Sequence, residues 1–77
     1  MSKYFDISEK IMVDLLIKDD VFIKQAKEDV GNVIEIYPDY SENRLVYILD
    51  DGSEHYADLR KLIDTMNELN YMKWHSQ

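Results

Sequence analysis

A serine and a histidine stand two residues apart near the middle of the chain, at Ser53 and His55. Hydrolysis by a serine nucleophile needs a base within hydrogen-bond reach, a group that orients the base, and donors for the oxyanion. Side chains two apart on a strand share a face, but nothing in the sequence supplies the oxyanion donors. The pattern favours Ser53 as a turn residue and His55 as a surface residue, and we expect no enzymatic activity.

Carboxylates around Gly52 resemble part of a calcium-binding loop, with Asp50 and Asp51 directly before the glycine. If Gly52 were the glycine of such a loop, its first and third ligands would be Tyr47 and Leu49, whose side chains cannot bind Ca²⁺. The chain has two histidines and no cysteine, which excludes a structural zinc site of the usual composition. We therefore predict no metal and no cofactor.

The charge of the chain points to its partner. Sixteen acidic and nine basic residues give a formal net charge of −7. A field of this sign repels nucleic-acid phosphates and anionic membranes and favours a protein with a basic surface. Direct nucleic-acid binding is therefore not expected. Acidic residues recur at predicted turns and connections, at Asp19, Asp20, Glu28, Asp29, Asp39, Glu42, Asp50, Asp51 and Glu54.

Length and composition bound the class of protein. Seventy-seven residues are enough for a single domain, 1–77. The absence of cysteine favours a reducing cytoplasm over a secreted, disulfide-bonded scaffold. The sequence has no apolar run near the ~20 residues that a membrane span needs, and residues 1–6 do not read as a targeting segment.

The N-terminal region, residues 1–18, allows two interpretations. Ile7, Ile11 and Leu15 lie at helical spacing, and Ser8 is a candidate N-cap. This pattern favours an amphipathic helix of about 8–10 residues. The apolar run over residues 12–17 also fits a strand, because periodicity does not discriminate over so short a run.

The middle of the chain, residues 19–57, has the composition of strands. We predict strands near residues 20–24, 31–37, 44–50 and 53–57. Residues 25–29 are polar and predict a connection. Pro38 is expected to end the second strand, because proline lacks the N–H that a central strand needs.

A hairpin is predicted between the last two strands. Asp51-Gly52 separates two strand-like runs and is typical of a type I′ turn, in which both central residues have positive φ. A two-residue loop at this place puts Tyr47 opposite Tyr56, a favourable cross-strand pair.

A C-terminal amphipathic helix is predicted over residues 58–73, with Asp58 as its N-cap. Its apolar stripe consists of Leu59, Leu62, Ile63, Met66 and Leu69. We expect this stripe to cover the core, with a homodimer through the same helix as the alternative.

The segment from Asp20 to Leu62 resembles a small SH3-like barrel of the KOW and Tudor type, and we expect the chain to be a bacterial or phage accessory protein. The residues that carry the resemblance are Asp20-x-Phe22, Gly31-x-Val33-x-x-Ile36, Val46-Tyr47-Ile48-Leu49, Asp50-Asp51-Gly52-Ser53 and Tyr56-Ala57-Asp58-Leu59. The resemblance implies a small antiparallel SH3-like β-barrel or meander. The two predicted terminal helices are additions to the family pattern, and together with the barrel they give an α+β fold. Val33 and Ile36 are three apart, so a bulge is needed to bring both inward.

Tyrosines are the predicted contact residues. Domains of the family that the chain resembles use such side chains as a binding platform, and tyrosine and tryptophan are frequent anchors in protein interfaces. Tyr40, in a predicted loop, is the residue that we expect to be most available to a partner. Trp74, near the C-terminus, either folds back or meets a partner.

These observations predict a non-enzymatic protein–protein binding module, a small acidic regulatory or accessory protein. The alternative is a phage-type inhibitor that mimics nucleic acid and blocks a defence nuclease or a polymerase. The predicted partner-binding residues are Tyr37, Tyr40, Tyr47, Tyr56, Asp39, Glu42, Asp50, Asp51, Glu54 and Trp74.

Overall fold

The computed structural model describes the backbone of residues 5–75 and the side chains of residues 5–68. Its elements, in chain order, are α1 (Ile7–Leu16), α2 (Asp20–Val30), β1 (Val33–Asp39), a 3₁₀ turn (Tyr40–Glu42), β2 (Arg44–Leu49), β3 (Glu54–Asp58) and α3 (Leu59–His75). The strands form an antiparallel sheet in the order β1-β2-β3. The α+β class is confirmed, but the described strands form an open sheet, and a closed SH3-like barrel is not shown.

The N-terminal region is helical, and α1 begins two residues earlier than Ser8 predicts. The Asp6 carboxylate accepts a hydrogen bond from the Glu9 backbone N–H at 2.9 Å. The Glu9 carboxylate accepts one from the Asp6 backbone N–H at 3.2 Å. This reciprocal pair is a capping box, so Asp6 is the N-cap, and the prediction of Ser8 in that role is wrong.

The predicted strand near residues 20–24 is wrong, as is the polar connection that follows it, because both belong to α2. The Asp19 carboxylate caps this helix and accepts hydrogen bonds from the backbone N–H groups of Val21 and Phe22. The residues after the apolar run are good helix formers, and Ala26 is buried one turn beyond Phe22. Gly31 ends the helix with a φ of 118°, a value that favours glycine.

Strand β1 begins at Val33 and continues through Pro38 to Asp39, so the prediction that Pro38 ends the strand is wrong. The proline is tolerated because β1 lies at the edge of the sheet. The register slips between Val33, opposite Leu49, and Glu35, opposite Ile48. The expected bulge is therefore confirmed.

The β2–β3 hairpin has a longer loop than the one predicted. Leu49 N–H donates to the Ser53 carbonyl, and Gly52 N–H donates to the Leu49 carbonyl, both at 2.9 Å. Gly52 has a φ of 87°, whereas Asp51 is not at positive φ. The loop is therefore a three-residue one and not a type I′ turn, and the register moves by one, with Tyr56 opposite Val46.

Two side chains, those of Asp58 and Asn43, cap the N-terminus of helix α3. The Asp58 carboxylate accepts the Lys61 backbone N–H at 3.0 Å, which agrees with the predicted N-cap. The Asn43 amide oxygen accepts the Arg60 backbone N–H at 2.7 Å, and the Asn43 carbonyl accepts the Leu59 N–H. Asn43 reaches both donors from a left-handed conformation, φ 56°, which asparagine tolerates better than most residues.

The core lies between the three helices and one face of the sheet. On β2 this covered face consists of Leu45, Tyr47 and Leu49. Residues from all three helices join them in one cluster, namely Val13, Ala26, Leu59 and Ile63. Leu62 and Met66 pack against the cluster, so the described part of the predicted α3 stripe contributes to the core. Leu69 has its side chain outside the described residues.

A bidentate ion pair joins helix α1 to helix α3. The two terminal guanidinium nitrogens of Arg60, on α3, donate to the two carboxylate oxygens of Glu9, on α1, at 2.8 and 2.9 Å. These hydrogen bonds hold the pKa of Glu9 below its usual value. The Arg60 guanidinium also lies over the ring of Phe5, 4.8 Å from its centroid.

Candidate functional site on the open face of the sheet

The second face of the sheet points away from the core cluster. Side chains alternate along a strand, so Arg44, Val46 and Ile48 of β2 lie opposite the covered face. Across β1, β2 and β3, the rows of this open face are Asp39–Arg44–Asp58, Tyr37–Val46–Tyr56 and Glu35–Ile48–Glu54. The surface therefore has an aliphatic centre, two tyrosines in one row, one arginine and four acids along its two edges.

The middle row combines exposed rings with a packed centre. Tyr37 is 40% exposed and Tyr56 is 52% exposed, whereas Val46 between them is only 1% exposed. Val46 is not part of the core cluster that the helices cover. The middle row therefore consists of a buried valine, which forms an aliphatic floor, between two accessible tyrosine rings.

Arg44 contacts both Tyr56 of the middle row and Asp39 at the acidic edge. Its guanidinium carbon lies 4.3 Å from the centroid of the Tyr56 ring, a cation–π distance. Its Nε donates to Asp39 Oδ2 at 3.3 Å. A hydrogen bond from the Ser41 hydroxyl, followed by those from the Glu42 backbone and from Arg44, lowers the pKa of Asp39, so this carboxylate stays charged well into acid.

The hydroxyl of Tyr56 is also held in place. It donates to Glu54 Oε1 at 2.6 Å, and this hydrogen bond to a carboxylate raises the pKa of Tyr56. With its ring against Arg44 and its hydroxyl on Glu54, Tyr56 is ordered before any partner arrives, which lowers the entropic cost of binding.

The hydroxyl of Ser53 is engaged outside the Ser53–His55 pair, and the open face contains residue types that are common in protein interfaces. The Ser53 hydroxyl donates to Asp51 Oδ1 at 2.7 Å, and no hydrogen bond joins it to His55 within the described residues. Tyrosine and arginine over an apolar floor are enriched in protein interfaces, and an acidic rim selects basic neighbours.

The structure brings four of the ten predicted site residues together on the open face: Tyr37, Tyr56, Asp39 and Glu54. Tyr47 is directed into the core, where its ring meets Phe22 with 6.5 Å between centroids. Tyr40, the residue expected to be most available, packs against Phe5, 5.3 Å between centroids. Burial raises the pKa of Tyr40.

Three further predicted residues, Glu42, Asp50 and Asp51, lie away from this surface. Glu42 is exposed on the 3₁₀ turn. Asp50 accepts a hydrogen bond from the Asn32 amide at 2.8 Å. Asp51 accepts from the Ser53 N–H and hydroxyl, which lowers its pKa. Trp74 belongs to α3, but its side chain lies outside the described residues.

Five residues on this face were not anticipated as site residues: Glu35, Arg44, Val46, Ile48 and Asp58. Strand alternation combined with the correct hairpin register would have revealed them, because both together decide which residues share a face. Among residues 5–68, no group of three or more metal-ligating side chains comes together. None of the described helices is both long and apolar enough to cross a membrane.

Comparisons with protein-family models, with curated proteins and with solved structures return no match to this chain. The resemblance to SH3-like barrels of the KOW and Tudor type therefore stays a prediction.

Proposed function

We propose that this chain is a non-enzymatic protein-binding module that recognises its partner with the open face of the sheet. The observation that carries the proposal is the middle row, where Tyr37 and Tyr56 expose their rings beside a fully packed Val46. Large exposed aromatic side chains cost free energy in water, and in the centre of an interface they are frequent anchors.

The rim indicates the chemistry of the partner. Glu35, Asp39, Glu54 and Asp58 line the two edges of the face, and Arg44 is its one base. The partner that fits this surface inserts an aliphatic or aromatic side chain between the two tyrosines. Lysine or arginine side chains around that insertion then pair with the acidic rim. The net charge of −7 speeds the encounter with such a basic surface. The lack of cysteine supports a cytoplasmic setting for it.

The first test removes the two rings. A tagged chain is used to capture proteins from the native host, beside a Tyr37→Ser/Tyr56→Ser variant and a Val21→Ser control, which alters a still more exposed apolar residue on α2. We expect one protein to be captured by the wild type and by the control, with affinity at least about tenfold lower for the double variant. Equal capture by all three chains would refute the proposal.

The second test separates local charge from total charge. Glu35→Gln/Glu54→Gln removes two acids from the open face, and Glu28→Gln/Glu42→Gln removes two exposed acids elsewhere. Both variants lose the same net charge. We expect only the open-face variant to weaken capture, and most strongly at low salt, where screening is weakest.

Mimicry of nucleic acid is the second candidate. It is favoured by the exposure of eight of the nine acids that were predicted at turns and connections, all but Asp39, although Asp20, Glu28 and Asp29 lie in helix α2 and Glu54 in β3. Against it, Asp19 and Asp51 bond backbone N–H groups and thereby serve the fold. If mimicry is correct, both glutamine variants weaken binding to a nucleic-acid-handling enzyme, and the affinity for that enzyme falls steeply as salt rises.

A further inference from the structure

Helix α1 carries an exposed apolar stripe on the side away from the sheet. Ile7, Ile11 and Leu15 lie four residues apart and therefore share one side of the helix. They are 77%, 54% and 68% exposed. Val13, which is fully buried in the core, lies about 200° around the helix from Ile11. This stripe is thus separate from both the core and the open face of the sheet.

One flank of the stripe carries opposite charges. Lys10 and Asp14 are both exposed and lie one helical turn apart. No ion pair within the described residues engages either of them. The Lys10 ammonium rests 5.2 Å from the centroid of the Tyr40 ring, which holds it beside the helix. The flank therefore offers one ordered positive and one negative charge to whatever covers the stripe.

We propose that α1 docks antiparallel against α1 of a second copy of this chain. A two-fold axis perpendicular to the helices brings the same flank of both copies together. Ile11 then packs near its own symmetry mate, and Lys10 of each copy faces Asp14 of the other. In a parallel pairing the two-fold axis runs along the helices and places the two charged flanks on opposite sides of the contact, so Lys10 and Asp14 of the two copies do not meet. The flank is thus complementary to itself in the antiparallel arrangement alone.

The expected dimer is weak. Ten residues of α1 span about 15 Å, so one helix pair buries less than the ~1,200 Å² of a standard interface. Two bodies of charge −7 also repel each other. The stripe faces away from the sheet, so both open faces stay free. If the proposed function is correct, the dimer presents two of them and gains from multivalency.

Sedimentation equilibrium over a wide range of protein concentration tests the stripe. For the wild type, the average mass should rise from 9.2 kDa towards twice that value. Ile11→Asp should weaken association at least about tenfold, since it places a charge in the apolar contact. The matched control is Ile34→Asp, the same substitution at an exposed position of β1, and it should dimerise as the wild type does.

A charge exchange tests the antiparallel pairing. Lys10→Glu leaves two acids on the flank, and Asp14→Lys leaves two bases. Each variant alone should be more monomeric than the wild type at the same concentration. An equimolar mixture should form a heterodimer, because the flanks of the two variants are complementary.

Three results would overturn the proposal: a wild type that stays monomeric at the highest concentration, an Ile11→Asp variant that dimerises normally, or a mixture that does not associate. The Tyr37→Ser/Tyr56→Ser variant should dimerise as the wild type does. Equal partner capture by the wild type and by this variant, with the dimer intact in both, would therefore count against the proposed function and leave the α1 contact standing.

Discussion

The two faces of the sheet use the same strand alternation for opposite purposes. On the covered face, Leu45, Tyr47 and Leu49 are buried under three helices. On the open face, Tyr37 and Tyr56 remain largely accessible. The covered face supplies the free energy of folding, and the open face is available for a partner. Substitutions on the two faces should therefore separate stability from binding.

Val46 is an exception to this difference between the two faces. It belongs to the open face by register and is nevertheless as buried as a core residue. The open face is therefore packed at its centre and accessible at its rings. Such a surface keeps its shape without a partner, which favours binding with little rearrangement.

The largest expected effect is on the covered face. Leu45→Ala should lower the free energy of unfolding by about 3 kcal/mol, because it leaves a cavity at a fully buried site. Ile48→Ala, the matched truncation on the half-buried open side of β2, should cost about 1 kcal/mol. Urea unfolding followed by circular dichroism measures both, and equal costs would contradict the assignment of the faces.

A smaller loss is expected where α3 begins. Asn43→Ala should cost about 2 kcal/mol, because it removes the cap on the Arg60 N–H and puts a Cβ-bearing residue without a polar side chain at positive φ. Asn43→Gly, which tolerates that φ, should lose only the cap and cost about half as much. Asn67→Ala, at an exposed position of α3, is the control. Thermal or urea unfolding ranks the three, and an Asn43→Gly variant as unstable as Asn43→Ala would contradict the role of φ.

The ion pair between α1 and α3 should give a pH-dependent effect of about 1 kcal/mol. The pKa of Glu9 is lower in the folded chain than the ~4.3 of an unfolded glutamate. Its contribution is therefore complete above that unfolded value and is lost as the pH falls through the folded pKa. The stability difference between the wild type and Glu9→Gln should be constant near neutral pH and shrink in acid. Glu28→Gln, an exposed control, should show no such trend.

The smallest expected change in stability is on the open face. Tyr56→Ser should destabilise the chain least of all these variants, since it loses only a solvent-exposed cation–π contact and one exposed hydrogen bond. The same variant should lose most of its affinity for the partner. If Tyr56→Ser lowered the stability as much as Leu45→Ala does, the open face would be contributing to folding as a core surface does, which would contradict its assignment as a binding surface.

The parts of the fold that were predicted correctly carry strong local signals. The Asp58 cap, the apolar stripe of α3 and the three-residue spacing of Val33 and Ile36 each constrain the backbone within a few residues. Helix α2 was missed because a three-residue apolar run fits a strand and a helix equally well. The decisive signal was Asp19 as an N-cap ahead of it.

The site was predicted in part for a related reason. Tyr37 and Tyr56 were expected at the surface, but Tyr47 was paired with Tyr56 through a two-residue loop. The loop has one residue more, and a shift of one residue exchanges the two faces of a strand. Tyr47 therefore entered the core, and Val46 took its place. Whether an Asp-Gly pair closes a two- or three-residue loop depends on how the rest of the sheet packs, which the local sequence does not contain.

Cysteine labelling tests most directly whether the open face is accessible and binds the partner while the covered face is buried. The method is specific here because the chain has no cysteine of its own. Tyr56→Cys and Leu45→Cys are treated with a thiol reagent under native conditions, with Val21→Cys as an exposed reference on α2. We predict that the first reacts nearly as fast as the reference and is protected when the captured partner is added, whereas Leu45→Cys stays protected throughout. Slow labelling of Tyr56→Cys in the free protein, or no protection by the partner, would contradict an open face that serves as the binding surface.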